Sequence, residues 1–141
     1  MVGPWLIISY ALAKFAAYSA WATYGVRLSQ PSSELSDRIR SGMGLGALRW
    51  AIGFGFGFGV FFVTLFFPVE RVWFLYFLIY IPIRFVEWGI IASMLASDAF
   101  RPYSKRMLIW IVGGIVVSVL VDLVHPDMIE ETRFCVGRCL C

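Results

Sequence analysis

The chain has 141 residues and a formal net charge of +3; 60% of it is hydrophobic, 18% aromatic and only 15% charged, with a mean hydropathy of +0.81. A soluble domain carries about 45–50% apolar and about 25% charged residues, and a chain this short leaves too much of itself at the surface to hide the excess from water. These numbers, with 13 Gly, 6 Pro and 3 Cys, exclude a free-standing soluble enzyme, a disordered chain, a collagen-like repeat and a disulfide framework. What remains is an all-α integral membrane protein of one domain.

A spanning helix needs about 20 mostly apolar residues, because each adds about 1.5 Å across roughly 30 Å of hydrocarbon. The first such stretch covers residues 5–26. Its Ala20-Trp21-Ala22 has the form of a signal-peptide cleavage site, but no Lys or Arg precedes the apolar run and Lys14 interrupts it. A retained helix is the expectation. Its Tyr10, Lys14, Tyr18 and Trp21 fall at i, i+4, i+8 and i+11, one stripe of a helix. The following QPSSELSDRIRSG is polar and reads as a solvated loop.

The second stretch, residues 44–67, opens with Arg49 about one turn inside, where a long side chain can reach lipid headgroups. It continues through GFGFGFG. Gly53 and Gly57, and separately Gly55 and Gly59, have G-x-x-x-G spacing, which lets backbones approach closely within a bundle, between copies or in a larger complex. The connection PVER, with Pro68 and Glu70, predicts a tight antiparallel hairpin.

The third stretch, residues 72–96, carries Arg84 and Glu87 near its centre. Spaced by three, they share a face with Tyr80 and Trp88, and this stripe is expected to meet that of the first helix. Pro82 removes a backbone donor one turn away and predicts a kink. The fourth stretch, residues 107–124, is the shortest. The runs are apolar at successive positions, which argues for helices over membrane strands. The fold expected is therefore an antiparallel four-helix transmembrane bundle over residues 1–126, followed by a tail, residues 127–141, with Cys135, Cys139 and Cys141.

Orientation follows from Lys and Arg in the connections. Arg27, Arg38, Arg40, Arg101, Lys105 and Arg106 lie on one side; Arg71, Arg133 and Arg138 lie on the other. The richer side is expected to face the cytoplasm, with both termini opposite, in a bacterial inner membrane. Trp5 and Trp73 are expected at one boundary of the bilayer, Trp50 and Trp110 at the other.

No nucleotide-binding loop, zinc-protease helix or serine-hydrolase elbow is present. The single His125 precludes a bis-histidine haem, and the tail cysteines lack a C-x-x-C knuckle. No cofactor, metal or nucleic-acid partner is therefore expected. The chemical information lies in ionisable groups at membrane depth, which are expensive there and so face an interior or a wet cavity. Lys14, Arg84 and Glu87 sum to one positive charge. The expectation is a binding or transport protein that holds an anionic group, a lipid headgroup or small carboxylate, between Lys14 and Arg84. Glu87 would orient it, and Tyr10, Tyr18, Tyr80 and Trp88 would form the wall. The alternatives are an accessory subunit docked through its glycine faces, membrane lipids being further partners, and an enzyme using Glu87 as acid or base. The last needs a second proton-transfer group, for which Tyr80 is the one nearby candidate.

Overall fold

A computed structural model describes residues 4–65 and 72–124, with side chains for 5–59 and 77–124. The hairpin at Pro68 and Glu70, His125, the tail cysteines and the side chain of Trp73 lie outside the described residues. Four helices follow one another: α1 (Pro4–Ser29), α2 (Leu35–Leu65), α3 (Val72–Met94) and α4 (Lys105–Leu123). The chain is all-helical among the described residues, and α1 packs against α2 and α4 while α3 packs against α4 and α2.

The largest departure from expectation is the start of α2. It begins nine residues early, so most of the polar segment read as a loop is helix. The cause is local: Asp37 sits in the first turn, where a carboxylate suits the positive end of the helix dipole, and no proline falls between Pro31 and Leu65. Arg38 braces the preceding turn by donating from Nε to Ser33 Oγ (3.0 Å) and from Nη2 to the Pro31 carbonyl (2.7 Å). At its other boundary the helix α4 starts at Lys105, capped by the Ser104 hydroxyl, which accepts from the Met107 N–H (3.2 Å). Helix α3 runs through Pro82, whose ring lies on the exposed face, away from Arg84 and Glu87.

The closest approach is between α1 and α2. A Cβ placed on Gly42 or Gly46 would lie 2.7 Å from the backbone of Thr23 or Ser19, so only glycine admits this spacing. Of the four glycines expected to form contact faces, Gly53 and Gly57 are buried, whereas Gly55 and Gly59 are exposed, with open space around their Cβ positions. A period of two on a helix of 3.6 residues per turn cannot keep all four on one side.

The apolar core sits toward the α1 C-terminus and α4 N-terminus. Trp88, Phe100 and Trp110 meet edge to face, at 5.3 Å for Trp88–Trp110 and 5.9 Å for Phe100–Trp110. Trp110, expected at the bilayer boundary, is 2% exposed and belongs to this core. Below it, two serines tie the connections together: Ser29 Oγ donates to the Leu95 carbonyl (2.6 Å) and Ser97 Oγ to the Ser29 carbonyl (3.0 Å).

Burial of polarity is inverted relative to a water-soluble bundle. Lys14, Arg49, Arg84, Glu87 and Asp122 are buried, while Leu12, Leu78, Val86, Ile109, Val112 and Leu120 stand about half or more exposed. Two helices, over Phe77–Met94 and Lys105–Leu123, are long and apolar enough to cross a membrane.

Candidate functional site

Each helix contributes charge to one internal cluster. α1 brings Tyr10, Lys14 and Tyr18, all at most 3% exposed, as their spacing of four requires. α3 brings Tyr80, Arg84, Glu87 and Trp88 on its inward stripe, again buried. The two stripes meet across the bundle, where the Tyr18 and Trp88 rings lie edge to face at 5.7 Å.

Arg49 is where expectation and structure part. With α2 starting at Leu35, Arg49 lies 14 residues along the helix, about 21 Å by the α-helical rise, and not one turn from its end. Its side chain does not reach outward to headgroups: it is 3% exposed and forms an ion pair with Glu87. The guanidinium lies over the Tyr18 ring at 4.8 Å and the Trp88 ring at 5.3 Å, so two aromatic faces share its charge.

The residue that sequence reasoning missed is Asp122. It is fully buried and accepts a hydrogen bond from the Tyr10 hydroxyl (2.5 Å); Arg84 pairs with its other oxygen, and Lys14 Nζ lies 3.3 Å away. Lys14 also sits over the Tyr10 ring at 4.5 Å. One signal pointed to it: Gly114, Ser118 and Asp122 recur every four residues, a small and polar stripe on an otherwise apolar helix. The stripe works as a unit. Ser118 Oγ accepts from Trp88 Nε1 (3.1 Å) and donates to the Gly114 carbonyl (2.9 Å), while Gly114 lets the Trp88 indole lie against α4.

Among the described residues the cluster thus holds three cations and two carboxylates, one positive charge in excess. The carboxylates are not equivalent. Asp122 is enclosed behind Lys14 and Arg84, whereas Glu87 shares the wall of a cleft with Lys14, Arg49, Arg84, Tyr18 and Tyr80. The cleft lies between α2, which supplies Gly53 and Phe56, and α3. It is narrow, with room for roughly one water molecule. Among those residues no group of three or more His, Cys, Asp or Glu side chains offers a metal site.

No family model matches the chain, and it has no significant match among curated proteins or solved structures.

Proposed function

We propose that this chain is a small polytopic membrane protein that binds or carries an anionic group, a lipid headgroup or small carboxylate, at the cleft between α2 and α3. The membrane setting is supported by the inverted burial: a water-soluble protein would not turn half-exposed Leu, Ile and Val outward on several helices while enclosing five charges. The observation that carries the ligand reading is the wall of the cleft, where three cations, Lys14, Arg49 and Arg84, face a single carboxylate.

The mechanism follows from exchange of partners. An incoming carboxylate or phosphate takes the place of Glu87 at the Arg49 guanidinium, whose planar donors match such oxygens in pairs. Arg84 and Lys14 stay held by Asp122, so the site keeps its shape while its charge is engaged. Because the cleft has room for little more than a water, entry needs α2 and α3 to part and the Arg49–Glu87 pair between them to open. A lipid-borne anion would arrive laterally, its chain against Phe56. Positive-inside counting places the Arg27, Arg38, Arg40, Arg101, Lys105 and Arg106 end in the cytoplasm.

The test is native mass spectrometry of the protein released from its own membrane in mild detergent. The parent should retain a small anion or anionic lipid, and Arg84→Gln should lose it. Because Arg84→Gln also takes away one of the two cations that hold buried Asp122, the paired variant Arg49→Gln/Glu87→Gln serves beside it; it removes one charge of each sign at nearly constant shape. Retention of the same ligand by both variants would refute the assignment.

A second reading, an accessory subunit of a larger complex, is favoured by the outward face of α2. There Ala47, Ala51, Gly55 and Gly59 are exposed at four-residue spacing. A stoichiometric foreign subunit in the same spectrum would decide for it.

A further inference from the structure

A second feature lies at the opposite end of the molecule from Asp122. Between the last turns of α1 and the first turns of α4 runs a groove of about 670 Å3, lined by Trp21, Tyr24, Arg27, Arg106, Ile109 and Trp110 among others. No residue of the central cluster takes part in it, and no Asp or Glu lines it.

Its base is rigid. A Cβ on Gly25 would lie 2.7 Å from the Trp110 ring, and one on Gly113 would run into the Trp21 ring, so both indoles are pressed against helix backbone. The rings stack at 6.4 Å with 17° between their planes, and Trp21 Nε1 donates to the Trp110 carbonyl (3.1 Å). Trp110 is buried and forms the floor of the groove with Trp21. Above this base stand Arg27 and Arg106, both exposed and neither in an ion pair among the described residues. Ile109, 71% exposed, extends the lining along the outer face of α4.

Two arginines at one level, aromatic rings beneath them and an apolar strip leading away describe the profile of one lipid molecule. The arginines present paired donors to a phosphate, Tyr24 and the indoles suit the glycerol and interfacial region, and the Ile109 face suits an acyl chain. We infer that this groove is a binding site for an anionic phospholipid, separate from the central cleft. The inference rests on the membrane setting of the proposed function and not on its ligand. Charge complementarity selects the lipid class, because a zwitterionic headgroup brings its own cation to an acid-free groove already holding two.

The purified protein in mild nonionic detergent is titrated with phosphatidylglycerol or with phosphatidylcholine of the same chains, and bound lipids are counted by native mass spectrometry. The parent should retain phosphatidylglycerol in preference. Arg27→Gln/Arg106→Gln should lower that retention roughly tenfold or more, the size expected for two interfacial arginines. Both side chains are exposed, so this variant should fold. Arg40→Gln/Arg101→Gln removes the same charge from exposed positions outside the groove and should keep the preference. Equal retention of the two lipids by the parent, or an equal loss in both double variants, would overturn the inference. Failure of the membrane setting shows earlier and separately, as protein recovered in the aqueous phase without detergent. Failure of the central anion site leaves the result unchanged.

Discussion

Replacing Asp122 by Asn tests whether this carboxylate organises the cluster. The side chain keeps its shape, and the amide oxygen can still accept from the Tyr10 hydroxyl. Its amide nitrogen then faces Arg84 as donor against donor, and Lys14, 3.3 Å from the other oxygen in the parent, loses a counter-charge as well. Asp122 is fully buried, so water cannot take its place. Removing one partner of a buried pair costs about 3–5 kcal/mol, mostly the cost of stranding the remaining charge. For a chain of this length that corresponds to a fall in Tm of roughly 10–20 °C. Intrinsic tryptophan emission during heating of the detergent-solubilised protein measures it, since Trp88 lies between the cluster and the aromatic core. A Tm within about 3 °C of the parent, less than 1 kcal/mol by the same conversion, would refute the reasoning.

Three further outcomes follow from the packing. Gly46→Ala should lower the Tm although alanine is the better helix former, because its Cβ would lie 2.7 Å from the Ser19 backbone; Gly55→Ala, with open space around it, should leave the Tm unchanged or raise it by the propensity difference of about 1 kcal/mol. Ser118→Ala removes the acceptor of a buried indole and should cost about 1–3 kcal/mol, read as a Tm loss together with a shift in tryptophan emission. Tyr10→Phe should destabilise less than Asp122→Asn, by about 1.5–3 kcal/mol, since it deletes one hydrogen bond to the carboxylate and leaves both ion pairs in place.

The inward stripes of α1 and α3 were legible in the sequence because ionisable and aromatic groups recurred at helical spacing in apolar surroundings. Tyr10, Lys14, Tyr18, Tyr80, Arg84, Glu87 and Trp88 are indeed brought together. Arg49 was not legible as a cluster member. Hydropathy marks where a chain is apolar, not where a helix starts, and residues 35–43 are polar yet helical. Counting depth from the apolar boundary put Arg49 one turn in, and counting from Leu35 puts it midway along the helix. Asp122 was hidden for a related reason: it falls near the end of an apolar run, where a charge is easily taken for a boundary residue. The charge expected at the headgroups and the charge not foreseen are the ones that complete both ion-pair groups, Arg49 with Glu87 and Asp122 with Lys14 and Arg84. The close α1–α2 contact was not legible either, since Gly42 and Gly46 straddle the apolar boundary of the second stretch and GFGFGFG is the more conspicuous glycine pattern.

The measurement closest to the central claim is photo-crosslinking with a fatty acid that carries a diazirine beside its carboxylate, followed by peptide mapping. If an anionic headgroup enters between α2 and α3, label should concentrate on the α2 peptide around Gly53 and Phe56 and the α3 peptide from Tyr80 to Glu87. Excess unlabelled fatty acid should displace it, and Arg49→Gln/Glu87→Gln should abolish it. Label spread only over the outward faces, such as Leu108 to Val116 on α4, and unchanged in that variant would contradict the account.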